Sequence, residues 1–389
     1  MIYIITFIYV LFLAYLCDVK NHIKYRTIGY WSICVLFILI SGVRYHIGID
    51  SISYMDTWSY FPDIWTYEDG DIQALRERHD SFKRFHTGWF IYAIILKSIS
   101  KNFVLAQFTN AILINIAIFK LAKKYSHHPF ISILIYYCTF TFIEFNFELM
   151  RETVAVAIFL LWGFPAYMEK SWVKYYIVVF IAYSIHPSAV VMFLLPLIRS
   201  LKLPTYKYVL FLIVPSFIIS IYGVVLLGNI IDIILGDSPY GSAYFEGMTK
   251  GNNINYLIMQ IFKPGCLLML TLCFRKRIEN NELISILFFS IAVLAFGAVM
   301  YTAQRFVNYL IIIDYIIITD IFYYLIKKCK TMTIAILLLA IYYTPSIYQF
   351  STNKLALARY YPYQTIFFPE QTRDQQKIEH FMRRGIRNL

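Results

Sequence analysis

Apolar runs recur from one end of the chain to the other, many of them long enough to cross a lipid bilayer. A hydrocarbon core about 30 Å thick asks for roughly 20 consecutive apolar residues in a helix. Segments such as IYIITFIYVLFLAYLC and IAILLLAIYY belong to such runs and carry no charge. They lack the two-residue alternation of a membrane barrel, and an open chain in lipid satisfies its backbone groups only as helix. Of 389 residues 59% are hydrophobic and 15% charged, too little polar surface for a soluble protein of this length. The expected fold is all-α: a polytopic transmembrane helical bundle.

The first run has neither a basic start nor a small-residue cleavage site, so it reads as a retained helix rather than a leader. Six cysteines (Cys17, Cys34, Cys138, Cys266, Cys273, Cys329) lie in or beside apolar runs without metal-like pairing and read as small buried hydrophobes. Neither a metal nor another cofactor is expected.

The net charge of +12 is read as a topological signal, not as a nucleic-acid surface. Six short connections (18–26, 120–128, 169–174, 199–207, 275–281 and 327–330) hold 17 of the 35 Lys and Arg against three acidic residues, which places them inside. The loop 44–85 carries eight Asp or Glu and the loop 228–253 is nearly neutral, which places both outside. The crossings expected are 2–17, 28–43, 103–119, 129–147, 150–168, 172–185, 187–198, 206–227, 254–274, 281–300, 303–326 and 331–348, about twelve, with both termini outside. Residues 1–348, outer loops included, form one bundle, and 349–389 form a polar, Arg-rich tail that caps it. The segment 86–100 is short for a span and is expected to be re-entrant or to lie at the outer interface. Pro187 divides the run 172–198 and leaves His186 at a turn or kink.

With this topology, four segments bring charged groups to the outer helix ends. Arg44 ends the second crossing, Arg151 opens a helix in FNFELMRETVAVA, His186 marks the turn in YSIHPSAVV, and Arg305 opens a helix in MYTAQRFVNYL. A single such arginine can simply snorkel at the interface. Three converging with a histidine are better matched to an anion, and guanidinium forks suit phosphate oxygens. EDGD at 68–71 reads as a turn, Asp314 as paired within the bundle, and Asp320 as close to the inner end. Among the outer aromatics, Tyr60, Trp65, Trp89 and Tyr244 are candidates to stack on sugar rings.

GVRYHIGIDSISYMDTW resembles the signature after the second helix of the EpsG family, which includes Wzy-type O-antigen polymerases; Arg44, Gly48, Asp50 and Tyr54 match it in order. FELMRETVAVAIFL is similar to the family's Arg-Gln-x-x-Ala helix start through Arg151 and Ala155, with Glu152 in place of the usual Gln. SIHPSAVV matches through His186, Ser188 and Ala189, QRFVNYL through Arg305 and Tyr309, and YYPYQTIF resembles a C-terminal Pro-Tyr element.

The resemblance implies a GT-C-like bundle in the inner (cytoplasmic) membrane with its active site facing the periplasm. It implies a polymerase that moves a growing glycan from undecaprenyl pyrophosphate onto a sugar hydroxyl of the next lipid-linked repeat unit. The partners are that oligosaccharide donor and acceptor and membrane lipid, with a chain-length regulator as a further candidate and no nucleic acid. Arg44, Arg151 and Arg305, with Tyr54, Tyr309 and Ser188, would hold the pyrophosphate, stabilising charge that grows as the glycosidic bond breaks. His186 and Asp50 compete as general base; Asp50 could equally orient His186 or pair with Arg44. Two other classes stay open. A flippase for lipid-linked sugars would place charged or broken segments at mid-membrane in repeated halves, a pattern absent from this sequence. A ligase or other membrane transferase shares the donor chemistry and is separated only by the ordered motifs.

Overall fold

Every apolar run that the computed structural model describes is helical, as backbone groups without water require. Its described residues are 1–78, 80–83, 85–200, 205–218, 254–278, 281–296, 304–327 and 357–383; the expected crossing 331–348, the loop 228–253 and Tyr244 lie outside them. Among the described residues strand pairing is limited to isolated bridges, Arg44 with Thr365 and Thr365 with Phe368. Two described helices are long and apolar enough to cross a membrane, Ile2–Val19 and Phe103–Tyr125, and shorter apolar helices accompany them.

The chain divides into two compact units, one of residues 1–124, 129–187 and 346–389, the other of 125–128 and 188–345. The first unit includes the helices α1 (Ile2–Ala14), α2 (Arg26–Gly42), α3 (Ile49–Thr57), α4 (Thr87–Ile99) and α5 (Phe103–Tyr125). They are followed by α6 (Pro129–Tyr137), α7 (Phe140–Ile143), α8 (Met150–Ile158) and α9 (Trp172–Ile185). Phe37 centres an aromatic core, with ring centroids 4.8 Å from Phe142, 5.2 Å from Tyr137 and 5.6 Å from Phe119. Beside it runs a buried polar chain: Ser41 Oγ donates to Asn146 Oδ1 at 2.6 Å, Asn115 Nδ2 donates to the same oxygen at 2.8 Å, and Asn146 Nδ2 reaches the Tyr136 hydroxyl at 2.9 Å. Such side-chain bonds are how apolar helices without a hydrophobic driving force fix their neighbours.

The expected crossing 129–147 is a broken one. Pro129–Tyr137 and Phe140–Glu148 meet at 79°. Thr139 is extended (φ −96°, ψ 157°) and its hydroxyl caps the Tyr136 carbonyl at 2.7 Å, which ends the first helix. The second closes in a π-turn, Glu144–Glu148, and Leu149 (ψ 71°) separates it from α8. Helix α4 has 13 residues, about 20 Å, less than the hydrocarbon thickness.

In the second unit, α10 (Ile254–Cys273) and α11 (Asn281–Phe296) pack together, and the expected helix 303–326 is split into α12 (Gln304–Val307) and α13 (Ile311–Lys327). The N–H of Asn308 turns back to Arg305 O and that of Leu310 to Val307 O, tight three-residue steps that interrupt the helix. Buried Asp314 accepts from Ser290 Oγ at 2.7 Å, and His127 Nδ1 lies 3.8 Å from Asp320 Oδ1.

Candidate active site

The turn between α2 and α3 is built around one buried arginine. Arg44 is 4% exposed; its Nε donates to Ile47 O at 3.3 Å, Nη1 to Ser41 O, and Nη2 to Ser51 Oγ at 3.2 Å. Phe147 packs on the guanidinium at 5.8 Å. Burial brings this guanidinium down to about 10, so it keeps its proton at neutral pH. Gln107 Nε2 donates to the carbonyls of Gly42 and Arg44 at 2.8 and 2.9 Å, fastening the turn to α5. The expected phosphate ligand Arg44 is thus turned into its own turn, with all three nitrogens bonded there.

Gly48 ends the turn at φ +89°, a left-handed conformation that costs other residues about 1–2 kcal/mol. A Cβ there would also lie 2.0 Å from Phe147 O, so the turn sits directly on the backbone before Glu148. Helix α3 then starts, and Asp50 and Tyr54, four residues apart, share one face of it.

That face carries the site. The Tyr54 hydroxyl accepts from Arg151 Nε at 2.6 Å, so two motif residues 97 positions apart meet. Arg151 is half-buried, and the Phe85 ring lies 4.1 Å from its guanidinium carbon. The Asp50 N–H donates to Glu148 Oε2 at 3.3 Å, and Glu148 Oε1 accepts from the Tyr360 hydroxyl of the tail. The Asp50 N–H and the Tyr360 hydroxyl thus hold one oxygen each of the Glu148 carboxylate. A small cavity lies alongside, lined by Arg44, Asn110, Asn146 and Glu148. Among the described residues no group of His, Cys, Asp or Glu is arranged to hold a metal ion.

The histidine expected in the site ends α9. His186 is buried, extended at φ −143°, and its N–H caps Ala182 O at 3.0 Å, so the turn before Pro187 is as expected. A second histidine was not foreseen. His86 precedes α4, its ring 5.4 Å from Tyr183, and burial together with Arg151 holds its imidazole below the usual value. Helices α4 and α9 approach closely here: a Cβ on Gly88 would lie 2.4 Å from Ser184 Oγ. Trp89, proposed to stack on sugar, is 1% exposed and packs 5.5 Å from Tyr54, whereas Trp65 is 85% exposed.

The tail completes the turn from the other end of the sequence. Tyr45 N donates to Gln364 O at 3.0 Å, Ile366 N to Val43 O at 2.9 Å, and the Tyr363 hydroxyl to Ile40 O at 2.6 Å. Helix α14 (Arg373–Arg383) packs on α3, with His46 Nδ1 2.7 Å from Glu379 Oε2 and Ile378 buried. The two end motifs of the sequence therefore clasp each other. In the second unit, Ser188 Oγ lies 3.1 Å from the Tyr309 hydroxyl, both buried, and half-buried Arg305 sits in α12, just before the break that holds Tyr309.

The family model described as "EpsG family" matches residues 27–365, nearly the whole chain. The chain belongs to the EpsG family. No curated protein and no solved structure matches it. Membership, with the apolar helices, makes it a membrane protein of polysaccharide biosynthesis. The EpsG match spans both clasped motifs, from the start of α2 to the Thr365 that bridges to Arg44.

Proposed function

We propose that this EpsG-family protein polymerises polyprenyl-pyrophosphate-linked oligosaccharide repeat units into a surface polysaccharide on the outer leaflet of the cytoplasmic membrane. The observation that carries the reading is the 2.6 Å bond from Arg151 to Tyr54, which orients a half-buried guanidinium on the face of α3. In that reading Arg151 faces the pyrophosphate leaving group, whose charge grows as the glycosidic bond breaks, and a preoriented cation stabilises it most in the transition state. Tyr54 fixes the guanidinium. Arg44 shapes the turn that carries Asp50 and Tyr54. Arg305, Tyr309 and Ser188 keep the pyrophosphate role the family motifs give them. The sequence alone offers His186 and Asp50 for the base that takes the acceptor proton.

The surface polysaccharide of a strain lacking the protein tests this. Loss of long chains with single repeat units still attached supports a polymerase. Loss of both assigns the protein to flipping or ligation, and an unchanged ladder removes it from chain assembly.

A further inference from the structure

We propose that the acceptor proton goes to Glu148, and that Tyr360 of the C-terminal tail is its positioning residue; this rests on the polymerase reading above. Glu148 ends the π-turn and stands three residues before Arg151, so the group that takes the proton and the group that steadies the leaving anion are close along the backbone. Glu148 lines a small cavity with Arg44, Asn110 and Asn146, whereas His186 is 5% exposed and closes the end of α9. Both its oxygens are oriented, Oε2 by the Asp50 N–H and Oε1 by the Tyr360 hydroxyl. The close seat of Gly48 on Phe147 O fixes the backbone just before it.

Charged or titratable groups face it from every neighbouring element: Arg44 from the turn, Asp50 from α3, Arg359 and Tyr360 from the tail. The Tyr360 hydroxyl, donating to Oε1, favours the carboxylate over the acid. A carboxylate held by a donor on each oxygen and facing a cavity is oriented to accept a proton. In the step, the acceptor hydroxyl oxygen bonds to the anomeric carbon, and the bond from that carbon to the pyrophosphate oxygen breaks. The leaving pyrophosphate keeps the electron pair. The hydroxyl proton passes to Glu148 and then to water.

The test uses the full-length protein in lipid, with the lipid-linked repeat unit that accumulates in a strain lacking it as probe, and follows chain extension as a function of pH. The wild-type rate is expected to rise along an acid limb as pH increases, because only the carboxylate accepts a proton. Glu148→Gln is expected to lose about a hundredfold or more in rate with the protein still folded. Tyr360→Phe removes a hydrogen bond to the carboxylate, so the rising limb moves to higher pH, by about one unit. A purely structural role for Tyr360 would lower the rate at every pH and leave the limb in place, which overturns the proposal, as does a Glu148→Gln protein of near wild-type rate. If that variant does not fold, the Tyr360→Phe limb decides. A wild-type protein that extends nothing overturns the polymerase reading itself; extension that ignores Glu148 and Tyr360 overturns only this assignment.

Discussion

Arg44 and Arg151 both anchor α3, one through Ser51 and the other through Tyr54, three residues further on. Arg44 is sealed, with its three nitrogens on acceptors of its own turn. Arg151 is half-buried, with a phenol on Nε and the Phe85 ring beneath the guanidinium. The same side chain in two neighbouring motifs thus serves as an internal strut in one place and as a surface cation in the other. Burial and the supply of backbone carbonyls decide which, because a desolvated guanidinium is tolerated only when its donors are satisfied.

If that contrast holds, substitutions at the strut destroy the fold and substitutions at the surface cation destroy only the chemistry. The largest effects are expected in the turn. Arg44→Ala takes the donor from two carbonyls, Ser41 O and Ile47 O, and from the Ser51 hydroxyl, each loss costing about 1–3 kcal/mol. Gly48→Ala adds left-handed strain to a 2.0 Å clash with Phe147 O. Both variants should fail to accumulate in the membrane. Gly70 shares the positive φ (+100°) but has nothing within 4 Å of an added Cβ, so Gly70→Ala isolates the strain and should accumulate. Normal amounts of folded Arg44→Ala protein would erase the distinction between the two arginines.

Next comes the cation itself. Arg151→Ala should insert and fold like wild type yet lose long-chain polysaccharide, with a rate loss of about 10²–10³-fold if it stabilises the leaving group. Normal chain lengths in that variant would end the anion account. A smaller effect is expected at His186, where Gln should preserve packing at the end of α9 and cost only a few-fold in rate, roughly 1 kcal/mol. A full loss in His186→Gln beside an active Glu148→Gln would move the proton to the imidazole.

Much of this arrangement was legible because its parts are close in sequence. The end of an apolar run, a glycine that must turn, and Asp50 and Tyr54 at one-turn spacing together mark Arg44 and the face of α3. Glu148 was not legible. Its partner Tyr360 is 212 residues away, and no periodicity links a carboxylate before one helix to a phenol in a polar tail. The breaks at 138–139 and 308–310 also left no trace, since neither contains Gly or Pro and both arise from local hydrogen bonds. Trp89 misled for another reason. Aromatic residues at a membrane surface and in a core look alike in sequence, and only the close packing of α4 against its neighbours buries this one.

The smallest predicted effect probes the join between the two regions. Tyr54→Phe keeps the ring, and so its contacts 5.8 Å from Phe85 and 5.5 Å from Trp89, while removing the oxygen that accepts from Arg151. The folded protein should be as abundant as wild type. A hydrogen bond from a partly exposed guanidinium to a neutral phenol contributes about 1 kcal/mol, so the rate should fall roughly fivefold. The sharper measurement is the double variant. If Tyr54 acts by orienting Arg151, removing its hydroxyl from the Arg151→Ala protein should change nothing further, since the pair works as one unit. Additive losses would mean that Tyr54 touches the substrate on its own account, and the helix face would then hold two independent contacts where the 2.6 Å bond points to one.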